Sequence, residues 1–415
     1  MVRSTTRSKL ADAQRLIEDA DSLWGEPFEN MLVEGDNLPV LRALMPRLEG
    51  FVDCVYIDPP YDTGQRREHY GDARGRGAWL DFMRPRLELL RRTLSPSGSL
   101  FVQLDDNLVD YAKVMLDEIF GDDAFVSRIT LRARAPSAFS TVNRGLFKAS
   151  EYVLWYARER LKLKEHKLRV ARPFDRAYGL FVEGREQEPA RWRLRSLREV
   201  FLEAGGGDAA ALEAFVVANA AGVCRKAAIR ESKAGKSTAD AKRRSLERPG
   251  EILVVRREGR APRYVLDGAQ LIFYDKNVAL IDGVLRPSAC MTNIWTDLSW
   301  EGIATEGGVR FRGGKKPERL LARVLELVTD AGDLVLDVFA GSGTTGAVAH
   351  KMGRHWMMIE EGEQLRTHIV PRIERVLAGL DPSGVTSMMG FEGGGGFTLH
   401  TWPGEGEGNA ETIGR

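Results

Sequence analysis

The feature that most constrains the fold is an apolar run, Val52–Ile57, that stops at Asp58, Pro59, Pro60 and Tyr61. A short apolar run bounded by proline is typical of a buried strand in a parallel sheet, because such strands are covered on both faces. Ligands of parallel sheets bind beyond the carboxyl ends of the strands. We therefore predict that Asp58 and Tyr61 lie at a ligand site.

The residues after this strand combine hydrogen-bond acceptors with an aromatic ring. Two successive prolines cannot donate hydrogen bonds, so the carbonyls before and between them stay available as acceptors. Together with the Asp58 carboxylate, they can hold both hydrogens of an exocyclic amino group and make its nitrogen more nucleophilic. The Tyr61 ring offers a face on which a planar base can stack. A match of four residues also fits an ordinary turn after a strand, so a second motif is needed.

A second motif runs from an apolar strand through a glycine-rich turn into a helix of small residues. Glycines let the backbone approach a ligand closely, and the start of the helix offers free N–H groups. The predicted cofactor contacts in this turn are Asp337, Phe339, Ala340, Gly341, Ser342, Gly343 and Thr344. Glu360 ends the following strand, where a carboxylate can accept hydrogen bonds from ribose hydroxyls. A nucleotide-binding dehydrogenase would also fit this turn, whereas the lack of a Walker lysine argues against a P-loop.

Strand and helix patterns alternate along the chain. Short apolar runs at 32–34, 99–104 and 151–156 predict further strands, and residues 38–48 and 79–94 predict helices. We interpret the apolar stripe of the second helix as core packing without a catalytic role. The alternation predicts an α/β fold with a doubly wound, mostly parallel sheet.

The two motifs together resemble the S-adenosylmethionine-dependent DNA amino-methyltransferases. The motif at Asp58 precedes the glycines at Gly341, which is the permuted order of the β group of these enzymes. Within that group the chain is most similar to the modification (Mod) subunits of type III restriction-modification systems. That similarity rests on short blocks at 34–38, 56–64, 79–83, 118–121, 151–154, 293–295, 314–318 and 394–397. Asp62 departs from the family, which more often has Asn there, and the chain is short for a type III modification subunit.

The resemblance implies a Rossmann-like methyltransferase fold, S-adenosyl-L-methionine as cofactor, and double-stranded DNA from which the target base is flipped. It assigns catalysis to Asp58, Pro59, Pro60 and Tyr61. The same resemblance places Asp36 against the cofactor adenine, and Lys316 and Pro317 near its methionine end. From the residues alone, Asp36 also suits the N-cap of a helix beginning near Pro39. A lysine pair before a proline is more often a solvated turn.

The resemblance also implies adenine N6 as the methylated atom, since Asp-containing motifs of the family usually serve adenine and Ser-containing ones cytosine. Cytosine N4 stays open, because its amino group presents the same donors to Asp58. A non-catalytic DNA-specificity subunit is a second alternative. The intact residues that speak against it are Asp58, Tyr61, Gly341 and Gly343. RNA or protein-glutamine methylation is a third, disfavoured by Asp at position 58 and by a large basic insert.

The formal net charge of +1 hides a basic middle segment. Residues 128–263 hold 31 lysines and arginines against 16 aspartates and glutamates. Basic clusters that interrupt a methyltransferase are predicted to contact DNA phosphates, which makes binding salt-dependent. The candidate DNA-binding residues are Arg191, Arg193, Arg195, Lys242, Arg243 and Arg244. Residues 231–248 have few apolar side chains and are predicted to form a mobile basic loop that orders on DNA.

These observations predict a catalytic half at 1–157, an inserted target-recognition domain at 158–290, a cofactor-binding half at 291–400 and a disordered tail at 401–415. The three cysteines, Cys54, Cys224 and Cys290, are widely spaced, so neither a metal site nor a disulfide framework is predicted. The polar N-terminal residues 1–21 and the absence of a long apolar run predict a cytoplasmic protein without membrane contact. A homodimer and a restriction subunit in a separate chain stay open.

Overall fold

The computed structural model describes residues 30–61, 66–67, 70–71, 75–134, 146–281, 283–311 and 314–402. The predictions for the polar N-terminal residues, for Asp62 and for the tail beyond 402 lie outside these residues. Two compact units divide the chain. The first contains the residues up to 166 and those from 292 onward, and the second contains residues 167–291.

Strands and helices alternate through most of the described chain. The strands are β1 (Asn30–Glu34), β2 (Val52–Ile57), β3 (Arg66–Arg67), β4 (Tyr70–Gly71), β5 (Leu94–Leu104), β6 (Phe125–Arg132), β7 (Ser150–Ala157), β8 (Arg169–Ala171), β9 (Leu180–Glu183), β10 (Arg193–Ser196), β11 (Val223–Ala228), β12 (Leu253–Arg257), β13 (Arg260–Leu266), β14 (Ala269–Phe273), β15 (Val278–Ile281), β16 (Val284–Cys290), β17 (Ile294–Trp295), β18 (Leu334–Asp337), β19 (His355–Glu360) and β20 (Phe397–Thr401). The α-helices are α1 (Asn37–Leu48), α2 (Arg76–Thr93), α3 (Val109–Phe120), α4 (Leu197–Glu203), α5 (Ala209–Ala218), α6 (Lys236–Glu247), α7 (Glu318–Val328), α8 (Thr344–Lys351), α9 (Val370–Leu377) and α10 (Thr386–Met389).

One large sheet organises the first unit. Its strands follow the order β17-β6-β7-β5-β2-β18-β19-β1-β20. Only β7 runs antiparallel to its neighbours, β5 and β6, and the other pairs in this sheet are parallel. The predicted α/β fold with a mostly parallel sheet is confirmed. No helix in the described part of the chain has the length and apolar character needed to cross a membrane.

Both faces of this sheet are buried under helices. Met357 and Ile359 of β19 belong to a core that also contains Leu41 of α1 and Leu87 of α2. The intervening Met358 points to the opposite face, because side chains alternate along a strand. There α8 packs so closely that a Cβ on Gly346 would lie 2.3 Å from the Met358 terminal methyl. Helices on both faces explain why these strands are apolar throughout.

The two sequence motifs meet because β2 and β18 are parallel neighbours at the centre of the sheet. Cys54 is paired with Val335, and Val55 with Leu336. The chain continues from β2 toward β5 on one side and from β18 toward β19 on the other. Such a reversal of strand order opens a crevice at the carboxyl ends of the two strands.

The second unit is built on antiparallel strands. Its larger sheet has the order β10-β9-β11-β14-β13-β12, and β15, β16 and β8 form a smaller one. Residues 167–291 hold 24 lysines and arginines against 16 aspartates and glutamates. Of the excess of 15 positive charges counted over residues 128–263, 9 lie in residues 167–263 of the second unit and 6 in residues 128–166 of the first.

The prediction of a mobile loop at 231–248 is wrong. A 3-10 turn at Glu231–Lys233 leads into helix α6. The buried side chains of this helix are Thr238, Ala241 and Ser245, spaced three and four residues apart. Ala241 packs with Val255 and Val265 of β12 and β13. A narrow stripe of small side chains is enough to pack this helix against the sheet. The low apolar content of residues 231–248 therefore did not indicate a loop.

Candidate active site

A cleft with about 630 Å³ of empty volume opens at the carboxyl ends of β2 and β18. All of its lining residues belong to the first unit. Eleven of them are predicted site residues: Asp58, Pro59, Pro60, Tyr61, Lys316, Asp337, Phe339, Ala340, Gly341, Ser342 and Thr344. Tyr56, Phe311, Gly314, Leu321 and Thr345 complete the lining. The fold therefore brings both motifs to one cavity.

Both oxygens of the Asp58 carboxylate have donors within the cleft. The Tyr61 hydroxyl donates to Oδ1 at 2.6 Å. The Lys316 ammonium lies 2.9 Å from Oδ2. Tyr61 is buried, whereas the Asp58 side chain keeps 20% of its exposure. The carboxylate is thus held in a fixed orientation at the floor of the cleft.

The lysine pair before Pro317 is buried, in contrast to the solvated turn that the residues alone favour. Lys315 donates to the carbonyl of Val309 at 2.8 Å. Lys316 contacts the Glu151 carboxylate at 3.4 Å as well as Asp58. Two carboxylates, one directly after β2 and one in β7, therefore compensate the buried Lys316 charge.

Glu151 belongs to a chain of buried polar side chains that leads away from the cleft. The Gln103 amide donates to Glu151 Oε2 at 2.6 Å. The Tyr56 hydroxyl donates in turn to the Gln103 carbonyl oxygen. Sequence reasoning assigned no role to these residues, although a glutamate in the otherwise apolar strand β7 is a recognisable signal.

Helix α2 does more than fill the core. The indole N–H of Trp79 donates to the Pro60 carbonyl at 2.7 Å, and the Trp79 side chain is buried. This bond fixes the carbonyl after the second proline, not the two carbonyls predicted to face the ligand. The interpretation of this helix as core packing alone is therefore incomplete.

The glycine turn has the backbone geometry that its sequence predicts. Gly341 and Gly343 have φ angles of +54° and +73°, in the left-handed region that favours glycine. Asp337 shapes the turn, since its carboxylate accepts from the Phe339 N–H at 2.9 Å and from the Thr345 hydroxyl at 2.5 Å. Helix α8 begins directly after Gly343, with its N-terminus beside the cleft.

The Glu360 carboxylate fixes the glycine turn through a hydrogen bond to its backbone. Its Oε2 accepts from the Gly341 N–H at 2.7 Å. Its Oε1 accepts from the N–H groups of Glu361 and Gly362 and from the Gln364 amide. The carboxylate is buried and does not line the cleft. The predicted contact with ribose hydroxyls stays a prediction, and a ribose would compete with these donors.

Asp36 also lies outside the cleft lining. Its carboxylate accepts from the Leu38 N–H at 3.0 Å, as an N-cap does, and from Arg86 at 2.8 Å. Arg86 is buried and donates to Asn37 as well, and the Asn37 amide donates to the Val338 carbonyl. The capping interpretation therefore matches the structure, and contact with a cofactor adenine stays a prediction.

A buried ionic cluster supports the glycine turn from the other side. Arg372 donates to the Ser342 carbonyl at 3.1 Å and to the Thr344 hydroxyl at 2.8 Å. Its guanidinium also pairs with Glu318 at 2.8 Å. Lys351 then joins Glu318 to Asp381. Gly343 and Pro317 lie beside this cluster without lining the cleft.

The six predicted DNA-binding residues lie in the second unit, and carboxylates already hold three of them. Arg195 pairs with Glu183 and Glu203, Lys242 with Glu231, and Arg243 with Asp240. Arg191, Arg193 and Arg244 are exposed, and none of them forms an ion pair with the carboxylates that the structure describes.

Burial and mutual contacts set the charges in the cleft. Burial raises the pKa of Asp58, Glu151 adds to this effect, and Lys316 opposes it. Burial alone would raise the pKa of Glu151, but the Lys316 ammonium and the Gln103 amide outweigh it and hold that pKa low. Burial would lower the pKa of Lys316, but the two carboxylates raise it instead. Lys316 and Glu151 are therefore charged at neutral pH.

Comparison with known proteins identifies the family. Residues 52–370 match the protein family described as DNA methylase. Because this match covers most of the chain, the chain belongs to that family.

The chain is 29% identical over 406 residues to the probable type III restriction-modification enzyme HindVI Mod subunit of Haemophilus influenzae. That alignment covers 90% of this chain and 54% of the relative. Identity is also 29% to the StyLTI Mod subunit of Salmonella typhimurium, over 84% of this chain and 53% of that protein. The chain thus spans about half the length of the curated relatives it matches. Among solved structures, the M1.HpyAVI–SAM complex aligns over 82% of this chain and 98% of that one, with 14% identity and a TM-score of 0.38.

The Asp337 carboxyl predicts a pH dependence of stability. Burial raises its pKa from 3.8 to about 7. The folded chain therefore binds a proton that the unfolded chain has lost, and its stability falls as pH rises through this window. Asp337→Asn should remove that dependence. Relative to wild type, the variant should gain up to about 1.4 kcal/mol of unfolding free energy per pH unit between about pH 4 and pH 7. Denaturant titrations at several pH values measure this difference, and a difference that does not change with pH would contradict the assignment.

Proposed function

We propose that this member of the DNA methylase family transfers a methyl group from S-adenosyl-L-methionine to the exocyclic amino group of a base flipped out of duplex DNA. We propose adenine N6 as the accepting atom. One observation carries the proposal. The acceptors at Asp58 and the glycine turn at Gly341 end neighbouring strands and line the same cleft.

The residues of the cleft fit a cationic nucleoside cofactor. The cleft is open to solvent and is lined by residues of both motifs. Asp58 supplies a carboxylate, Asp337 a carboxyl group that orients the turn, and the turn before α8 allows close approach of a ligand to the backbone. Phe339 adds an aromatic surface that is partly exposed. We propose that the glycine turn and Asp337 hold the cofactor.

The proposed reaction needs positioning more than a strong base. S-adenosylmethionine, when bound, supplies a methyl group on a positively charged sulfur. The base nitrogen forms a bond to this carbon while the carbon–sulfur bond breaks, so the positive charge moves from sulfur to nitrogen. Asp58 accepts a hydrogen bond from the amino group and stabilises the charge that develops there. Tyr61 presents its ring to the base. The alkylated nitrogen then loses a proton to solvent.

Adenine is proposed because the Asp-containing motif resembles that of adenine N6 enzymes. The amino group of cytosine presents the same two donors to Asp58. The Asp58 carboxylate therefore does not distinguish adenine from cytosine. The choice is made experimentally by identifying the methylated nucleoside.

We also propose that the second unit is the target-recognition domain. Its exposed arginines, Arg191, Arg193 and Arg244, support a contact with phosphates. The relatives named above are Mod subunits of type III restriction-modification enzymes. By similarity to them, we propose that this chain modifies DNA in such a system, that a restriction subunit is a separate chain, and that two modification chains associate.

Asp58→Ala tests the proposed reaction. Loss of the acceptor should lower the rate of methyl transfer by about 10²- to 10³-fold, the range seen when one stabilising group of a transition state is removed. The assay follows radiolabelled methyl transfer to unmethylated genomic DNA. Asp53→Asn is the matched control, because Asp53 lies at the other end of β2, where it accepts from the Leu334 N–H. A rate near that of wild type in Asp58→Ala would remove Asp58 from the mechanism.

Gly343→Val tests the cofactor loop. A Cβ on Gly343 would lie 2.9 Å from the Ile369 side chain, and the φ of +73° disfavours valine as well. Calorimetry should show severely weakened S-adenosylmethionine binding. Gly353→Val is the control, because Gly353 has a similar φ of +71°, and the nearest atom to its added Cβ is 3.9 Å away. Equal affinities in the two variants would show that the effect is general backbone strain.

Replacing Arg243 and Arg244 together by Ala tests the DNA interface. If they contact phosphates, affinity for all duplexes should fall, and the slope of log K against log salt should flatten by up to ~0.9 per lost contact. Arg195→Ala is the control, since two carboxylates, Glu183 and Glu203, hold its guanidinium, whereas Arg243 pairs with Asp240 alone and Arg244 with none of the described carboxylates. Fluorescence titrations at several salt concentrations measure both quantities. An unchanged affinity and slope in the double variant would show that this cluster is only a solvated surface.

A further inference from the structure

The Asp58 carboxylate has no unused oxygen in this structure. Tyr61 donates to one oxygen at 2.6 Å, and Lys316 lies 2.9 Å from the other. Each oxygen can accept a further hydrogen bond. While the Lys316 ammonium neutralises the Asp58 charge, however, that carboxylate stabilises a positive charge on the target nitrogen less well. The Lys316 ammonium is also the donor that most resembles the amino group of the target base, because it presents N–H bonds to the same acceptor.

A second carboxylate is already positioned to hold Lys316. Glu151 Oε2 lies 3.4 Å from the Lys316 ammonium, and Gln103 fixes that oxygen with a 2.6 Å hydrogen bond. The Lys316 and Glu151 side chains retain only 8% and 10% of their exposure. A buried ammonium cannot leave one carboxylate unless another compensates its charge. Glu151 lies close enough to provide that compensation.

We propose that Glu151 is a positioning residue that draws Lys316 away from Asp58 when the target base enters, so that the Asp58 carboxylate stabilises the positive charge on the target nitrogen. This inference rests on the proposed methyl transfer and adds a role for two residues outside the predicted catalytic motif. The three charged groups together carry a net charge of −1. That value leaves one negative charge at Asp58 after Lys316 and Glu151 have paired.

The net charge of the three groups predicts an unusual pattern among variants. Glu151→Gln makes the net charge 0 and leaves Lys316 with Asp58 as its remaining anionic partner in the trio. Lys316→Met makes the net charge −2 and places two carboxylates together, so a proton should bind to one of them. The double variant combines Glu151→Gln with Lys316→Met. Its net charge is −1, as in wild type, and its Asp58 no longer pairs with an ammonium.

Single-turnover methyl transfer to unmethylated genomic DNA, at saturating S-adenosylmethionine, tests this pattern. Glu151→Gln should react about 100-fold more slowly than wild type, the loss expected when a reacting group is misplaced. The double variant should react faster than either single variant. A purely structural role for Glu151 would instead make the two losses add, so a double variant that is not faster than both single variants would overturn the proposal.

The controls separate this inference from the proposed function. Asp53→Asn changes a carboxylate outside the cleft and should keep the wild-type rate. If wild type transfers methyl groups and Glu151→Gln matches its rate, the inference fails while the proposed function stands. If wild type transfers none, both fail. Should Glu151→Gln not fold, as judged by thermal unfolding, the comparison of Lys316→Met with the double variant decides, because the double variant should still be the faster one.

Discussion

The parallel pairing of β2 with β18 is the constraint on which the rest of the structure depends. Residues that are far apart in sequence become neighbours when Cys54 pairs with Val335 and Val55 with Leu336. The strands end at the same edge of the sheet, where Asp58 follows one and the glycine turn follows the other. The cleft is a consequence of this pairing. A slip of the register by one residue would turn the side chains of one strand to the opposite face.

Buried charges hold the loops that this pairing brings together. Lys316 joins the residue that follows β2, Asp58, to Glu151 of β7. On the other side of the glycine turn, Arg372 and Glu318 fix the start of α8. Removing one partner of a buried ion pair typically costs about 3–5 kcal/mol, because the other charge is left without compensation. Such pairs favour one arrangement of the loops. They also make the pKa values of Asp58, Glu151 and Lys316 depend on one another.

The sequence was sufficient to predict the elements whose signal is local. The strands at 52–57 and 151–156 and the helix at 38–48 follow from apolar periodicity, and the turn at Gly341 and Gly343 follows from glycine chemistry. Features that depend on distant partners were not predictable in this way. Lys316 is buried because Asp58 and Glu151 meet it, and helix α6 is stable because Ala241 reaches two strands. The sequence around Lys316 or around Ala241 does not indicate these distant contacts.

The most direct test of the account is the identity of the methylated nucleoside that this chain produces. DNA from a methylation-free host expressing the chain can be digested to nucleosides and analysed by mass spectrometry. We predict N6-methyldeoxyadenosine in this DNA, and none in DNA from the same host without the chain. N4-methylcytosine would retain the methyl-transfer site but contradict adenine as its target. DNA without any methylated amino group, in cells that contain the folded protein, would contradict the claim that β2 and β18 together form a methyl-transfer site.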